Sequence, residues 1–369
     1  MYFAASPDNP TERYLYAARV NDGSVTRVTP SGAPGTHTYE VSPDGRWALH
    51  TYSRADVPPR VDVIALPDHR VVRSLVTNDA LARKTARLTG QPVEFTQVTI
   101  EDGVTLDTMV IKPTDFDPSR RYPVLVYVYG EPADTLVEDQ WATGRLAFRA
   151  IADEGYVVLT FDNRGTPAPK GAAWRKVVYG YIGDLGPREQ AEAVTRFAAT
   201  HAYVDPSRVA IYGHSGGGSS TLHALFKYPE VYRVGIASAP VPDQHLYDTI
   251  YQERYMGLPQ DNPEGYRVGS SINFAEGLRS RLLLMHGTGD DNVHLQNTER
   301  LMNRLIELGK DFDVMFYPNR THALSEGPGT PLHRWRTIAR YLLEHMPPNP
   351  SPSPKPPAPS TSAAPERTR

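Results

Sequence analysis

GHSGG (213–217) follows the apolar run RVAIY (208–212) and precedes GSSTLHALFKYP (218–229), a stretch long enough for a helix. A serine between glycines, at the end of a strand and the start of a helix, is the pattern of a nucleophile elbow. Such an elbow needs a buried strand before it and small residues that let a strained turn form without a clash. It also needs a helix after it whose N-terminus faces the site. All three occur here in order, so Ser215 reads as a nucleophile rather than as a passive serine in a glycine loop.

Outward from the elbow, apolar runs alternate with segments of helical length. FTQVTI and LDTMVIKP flank the turn EDG, and PVLVYVY, GYVVLTFD, RVAIYG, RVGIASA, RLLLMHG and DVMFYP follow. Between the later runs lie GDLGPREQAEAVTRFAATHA and VHLQNTERLMNRLIELG. Apolar strands separated by helices predict a mostly parallel sheet covered on both faces, and the elbow makes it an α/β-hydrolase fold, placed over residues 94–346. Residues 1–93 differ. RYLYAARV, VTRVT, WALHTYS, RVDVIAL and RVVRSLV are short runs broken by turn signals such as NDG (21–23) and SPDG (42–45). They predict antiparallel hairpins, about two four-stranded units, which amounts to one or two blades of a partial β-propeller. PPNPSPSPKPPAPSTSAAPERTR (347–369) has nothing to bury and is expected to be a disordered tail.

A serine hydroxyl is a poor nucleophile until a base takes its proton, and in this fold the carboxylate and the histidine follow the serine in that order. LLLMHGTGDDNVHLQ places Asp290 and Asp291 in the loop after a strand, where catalytic groups gather in open parallel sheets. NRTHAL puts His322 after the last strand. Among the 12 histidines only His322 satisfies both chain order and loop placement. His286 is expected to pack under its loop, His294 to cap or face solvent, and His214 to point away from the serine.

Composition narrows the function further. The 369 residues carry a net charge of -3 with both signs scattered, which excludes the basic stripe of a nucleic-acid binder. There is no cysteine, hence no disulfide and no thiolate chemistry. No HExxH spacing suggests a catalytic zinc, so neither metal nor cofactor is expected. MYFAASPDNPTERYLY lacks the basic start and apolar core of a signal peptide, and no window is apolar enough to span a bilayer. As written, the chain is expected to be cytoplasmic and free of the membrane; an upstream extension would open a periplasmic or secreted location.

These residues carry a resemblance. From about 94 to 346 the chain resembles the catalytic domain of the prolyl oligopeptidase family, most specifically its dipeptidyl peptidase IV branch. The resemblance rests on FDNRGT (161–166), APV (239–241), YDTIYQERYMGLP (247–259) and HGTGDDNVH (286–294), in the family's order. The first 90 residues resemble the last part of that family's propeller. The resemblance implies a serine peptidase working through an acyl-enzyme, with Ser215 as nucleophile, Asp290 rather than Asp291 as orienting carboxylate and His322 as base. It implies an oxyanion hole made by the Tyr129 hydroxyl and the Gly216 N–H. It further implies Asn292 on a substrate carbonyl, and a small apolar pocket of Val241, Tyr247, Tyr251 and Val293 that holds proline. Short peptides cleaved after proline or alanine, release of dipeptides, and pairing into a homodimer follow from it too. A carboxylesterase or acylaminoacyl peptidase with the same triad, or a truncated inactive remnant, are the alternatives.

Three departures stand out. Gly216 and His214 replace a tyrosine and a tryptophan of that branch, and Gln244 replaces a tryptophan at the pocket wall, which predicts a wider, more polar pocket. Most of the propeller, with the paired glutamates that bind the substrate's amino terminus, has no counterpart, and no Glu-Glu pair occurs. Arg254 matches an arginine that supports those glutamates and is expected to lack that partner.

Overall fold

The computed structural model describes residues 1–86, 88 and 90–349. The chain begins with an antiparallel three-stranded sheet, β1 (Tyr2–Ala5), β2 (Tyr14–Ala18) and β3 (Val25–Arg27). A four-stranded meander follows, β4 (Thr36–Val41), β5 (Trp47–Arg54), β6 (Val57–Ala65) and β7 (Arg70–Val76). The expected pair of four-stranded units is thus three strands and four among the described residues. Two of these strands are not among the expected runs: YFAA of β1 is only four residues long, and four of the six residues of THTYEV in β4 are polar. A short helix, α1 (Asp79–Thr85), leads to the third sheet.

That sheet has eight strands: β8 (Glu94–Thr99), β9 (Thr105–Ile111), β10 (Tyr122–Val128), β11 (Val157–Asp162), β12 (Val204–His214), β13 (Val234–Ser238), β14 (Arg281–Gly287) and β15 (Asp313–Tyr317). Its spatial order is β15-β14-β13-β12-β10-β11-β9-β8. Pairings from β11 through β15 are parallel, and β8 and β9 pair antiparallel at the near edge. The helices are α2 (Arg145–Asp153), α3 (Ala172–Lys176), α4 (Leu185–Thr200), α5 (Gly216–Lys227), α6 (Thr249–Met256), α7 (Pro263–Gly269), α8 (Gln296–Glu307) and α9 (Thr330–His345).

Side chains of a strand alternate between faces, and here both faces are dry. Val124, Val126, Val128 and Ile211 join Phe197, Leu222 and Leu301 in one core layer. Leu125, Ala210 and Tyr212 join Phe148, Ile338 and Leu342 in the other. The central strands therefore read as unbroken apolar runs rather than as alternating ones.

Strand order reverses beside β10: β11, next in the chain, lies on one side of it, and β12 lies on the other. A crevice opens at the carboxyl ends of strands where the order reverses. The loops after β10 and β12 border it, and these carry Tyr129 and Ser215. Among the described residues no helix is long and apolar enough to cross a membrane. Of the expected tail, only 347–349 fall among the described residues; the disorder expected beyond them lies outside.

Candidate active site

Ser215 sits at the elbow with φ 60° and ψ -123°, a left-handed strain that a β-carbon normally avoids. Its N–H donates to Ser238 O of β13 at 2.8 Å, and its carbonyl accepts from Ser219 N at 3.0 Å, so both sides of the turn are held. The flanking glycines are a steric requirement. A Cβ on Gly213 would stand 2.1 Å from Gly217 O, and one on Gly217 would stand 2.1 Å from Val128 O. As the first residue of α5, Gly216 has no carbonyl one turn back for its N–H.

His322 brings Nε2 to 2.9 Å from Ser215 Oγ and Nδ1 to 2.7 Å from Asp290 Oδ2. Asp290 is fully engaged. Its Oδ1 accepts from Asn292 N at 3.0 Å and Val293 N at 2.9 Å, while His286 Nε2 lies 3.2 Å from Oδ2. Burial pushes this carboxyl up, but the hydrogen bonds from His286 and His322 outweigh it and hold the group well below the usual carboxylate range. Asp291 is exposed and makes none of these bonds.

The structure adds two histidines around the triad. His286 has no exposed surface; Nε2 also lies 2.8 Å from Val293 O, and because a carbonyl only accepts, Nε2 carries hydrogen, leaving Nδ1 to accept from Thr298 Oγ1 at 2.7 Å. His214, expected to point away from the serine, packs its ring 4.7 Å from that of His322 and lies 3.0 Å from Ser238 Oγ through Nδ1. Burial and the neighbouring His322 keep its imidazole neutral, well below its ordinary value.

Tyr129 follows β10 directly. Ser220 Oγ donates to its carbonyl at 2.8 Å, and Asn163 Nδ2 donates to Gly130 O at 3.1 Å, with Asn163 Oδ1 accepting from Gln190 Nε2 at 2.9 Å. FDNRGT thus pins the loop that carries Tyr129 beside the elbow. Burial, then Glu131, Asp134 and Tyr247, push the phenol far up, so it keeps its hydrogen for donation.

The remaining expected residues divide. Tyr247 is partly exposed, and its hydroxyl donates to Asn292 Oδ1 at 2.8 Å. Tyr251 packs edge-on against it at 5.5 Å. Val241 is buried, its N–H bonded to Ser219 Oγ at 3.0 Å. Val293 has none of its surface exposed, so it lies behind the pocket wall instead of on it. Gln244 is 1% exposed, donating to Gly269 O at 2.9 Å and accepting from Gln252. The expected polar widening by Gln244 is therefore not seen: its amide is turned into a buried network. Arg254 is exposed beside a cavity of about 690 Å³ lined by Pro132, Arg175, Lys176, Tyr179 and Tyr255, and has no ion pair among the described residues. One residue of the site went unread, Glu131. A carboxylate in the loop GEPAD, three residues before Asp134, looks like a solvated charge, yet Glu131 is 7% exposed against Tyr251.

Elbow, sheet order and loop placement define an α/β-hydrolase. Residues 142–348 match the pattern of the prolyl oligopeptidase family, and residues 1–59 that of the dipeptidyl peptidase IV N-terminal region. This chain belongs to the prolyl oligopeptidase family. It is 36% identical over 328 residues to the probable dipeptidyl-aminopeptidase B of Aspergillus clavatus, covering 88% of this chain and 35% of that protein. The crystal structure of Porphyromonas gingivalis dipeptidyl peptidase 4 superposes with a TM-score of 0.88 at 33% identity, over 94% of this chain and 48% of that one. A putative dipeptidyl aminopeptidase IV from Bacteroides ovatus gives 0.78 at 28% identity, over 90% and 46%. The chain thus spans about a third of the length of the curated relatives it matches and about half that of the solved structures.

Proposed function

We propose that this chain is the catalytic part of a serine peptidase working through an acyl-enzyme, with Ser215, His322 and Asp290 as its triad. The observation that carries this is the continuous hydrogen-bonded line from Asp290 Oδ2 through the imidazole of His322 to Ser215 Oγ. His322 Nε2 takes the Oγ proton as Oγ bonds to the peptide carbonyl carbon, and the carbonyl electron pair moves onto oxygen. The Tyr129 hydroxyl and the Gly216 N–H donate to that oxyanion. When the C–N bond breaks, His322 passes the proton to the departing amine; water, activated by the same histidine, then releases the acyl group. Asp290 holds the ring's orientation and stabilises its cation without taking the proton.

Short peptides are the proposed substrates, and dipeptide release after proline or alanine is the proposed specificity. The fungal and bacterial relatives, named for dipeptidyl cleavage, support the release of dipeptides. A fluorophosphonate probe tests the chemistry. It should modify Ser215 in the folded protein and fail on Ser215→Ala; folded protein that stays unlabelled sinks the proposal. Gly-Pro-anilide should then be cleaved with a higher kcat/KM than a simple nitrophenyl ester, and the reverse preference would point to a carboxylesterase.

A further inference from the structure

The mechanism above leaves Glu131 unused, although it lies in the site. It follows Tyr129 by two residues, and its Oε2 accepts from the Tyr251 hydroxyl at 3.2 Å, with no ion pair to Lys, Arg or His among the described residues. A Cβ on Gly216 would stand 2.7 Å from Glu131 Oε2, 3.0 Å from its carboxyl carbon and 3.2 Å from Tyr129 Cζ. The carboxyl therefore fills the volume that a side chain next to the nucleophile would take, and Gly216 is what makes room for it. Tyr129 and Tyr251 flank it.

Such a group is poorly satisfied where it stands. Burial pushes it up to about 7, and the Tyr251 hydrogen bond offsets this only in part. As an anion it opposes the negative charge that builds on the oxyanion between Tyr129 and Gly216. A cation delivered by the substrate removes both costs, since it pairs the buried carboxylate and cancels its field at the oxyanion.

We propose that Glu131 is a specificity-determining residue, which selects substrates that bring a cationic nitrogen to the wall beside Ser215. This rests on the peptidase reading of Ser215 and adds to it a substrate class, peptides carrying an ammonium or guanidinium near the attacked carbonyl. Two sources supply that chemistry: a basic side chain on the residue whose carbonyl is attacked, or the free α-ammonium of a short peptide.

The test uses the full chain at about pH 7.5, above the Glu131 value and below that of an α-ammonium. Acetyl-Lys-anilide is compared with acetyl-norleucine-anilide, and Ala-Ala-anilide with acetyl-Ala-Ala-anilide. The unaltered protein should favour the cationic member of one pair by at least about 30-fold in kcat/KM, and Glu131→Gln should shrink that ratio to about 3-fold or less. Part of the change should come from faster cleavage of the uncharged member, because the buried anion is gone. A response in the lysine pair assigns the side-chain source, and one in the Ala-Ala pair the terminal source. No cationic preference in the unaltered protein, or one that survives Glu131→Gln, overturns the proposal. Fluorophosphonate labelling of Ser215 runs in parallel: loss of labelling in the unaltered protein strikes the peptidase reading instead. If only Glu131→Gln loses it, Glu131→Asp replaces that variant, and a cationic preference undiminished in Glu131→Asp overturns the proposal equally.

Discussion

The two larger of the three sheets meet solvent in opposite ways. In the eight-stranded sheet, β10, β11 and β12 are paired on both sides and covered on both faces, and every residue of β11 is buried. In the four-stranded sheet, all seven residues of β7 are exposed, Val71 at 51% and Leu75 at 47% among them. One sheet completes its core within this chain, while the other does so only in part and leans on its neighbour. Asp139 shows how: it donates its N–H to Thr11 O at 2.7 Å, while its carboxylate takes Ala55 N at 2.7 Å and Arg54 Nε at 2.9 Å. Arg13 pairs with Glu138 at 2.7 Å, and Arg149 with Asp56. The lesson is that catalysis and docking draw on separate groups, so each should fail separately.

The sharpest break lies wholly in the eight-stranded sheet. Asp290→Asn keeps the shape but loses the preference for the productive imidazole tautomer, so kcat on a peptide anilide should fall about 10⁴-fold in protein that still folds. Tyr129→Phe removes one oxyanion donor and should lower kcat by about 10²- to 10³-fold with little change in KM; an unaltered kcat takes Tyr129 out of that role.

Asp139→Ala probes the other side of the comparison. It strands the Ala55 N–H and frees Arg54, which is already 44% exposed, so unfolding free energy should drop by about 1–3 kcal/mol. Urea midpoints measure the loss, and limited proteolysis should now nick residues 1–93 first. Fluorophosphonate labelling of Ser215 should persist.

The smallest effect is a pH dependence confined to the four-stranded sheet. His37 Nδ1 and His50 Nε2 are 2.9 Å apart, and burial pushes the two imidazoles down to about 4 and about 3. Between those values and the ordinary 6.5 the unfolded chain binds more protons than the folded one, so stability is full above 6.5 and declines as pH falls through that window. His50→Phe should flatten the decline in melting temperature between about pH 6.5 and pH 4. A slope unchanged by the substitution would assign it to other groups.

Much of this was legible before folding, for reasons that are local. RVVRSLV, RLLLMHG and the hairpin around EDG became β7, β14 and β8–β9 because strand period and turn chemistry act over a few residues. Asp290 could not be separated from Asp291 by spacing alone; the separation came from two backbone amides and two imidazoles that converge on one carboxylate. Val293 and Gln244 were misjudged for a related cause. Their place along the chain was right, but which surface they face depends on packing by elements far away in sequence.

By itself the sequence determined the eight strands of the large sheet in chain order, the strained serine turn between glycines, and the chain order of nucleophile, carboxylate and base. The tertiary structure alone decided that residues 107 positions apart lie within hydrogen-bonding reach, and that Glu131 is buried where a side chain after the serine would otherwise be. Backbone propensity and hydrophobic period are short-range and written along the chain. Burial, charge and distance at a site assembled from five loops exist only once the sheet has brought those loops together.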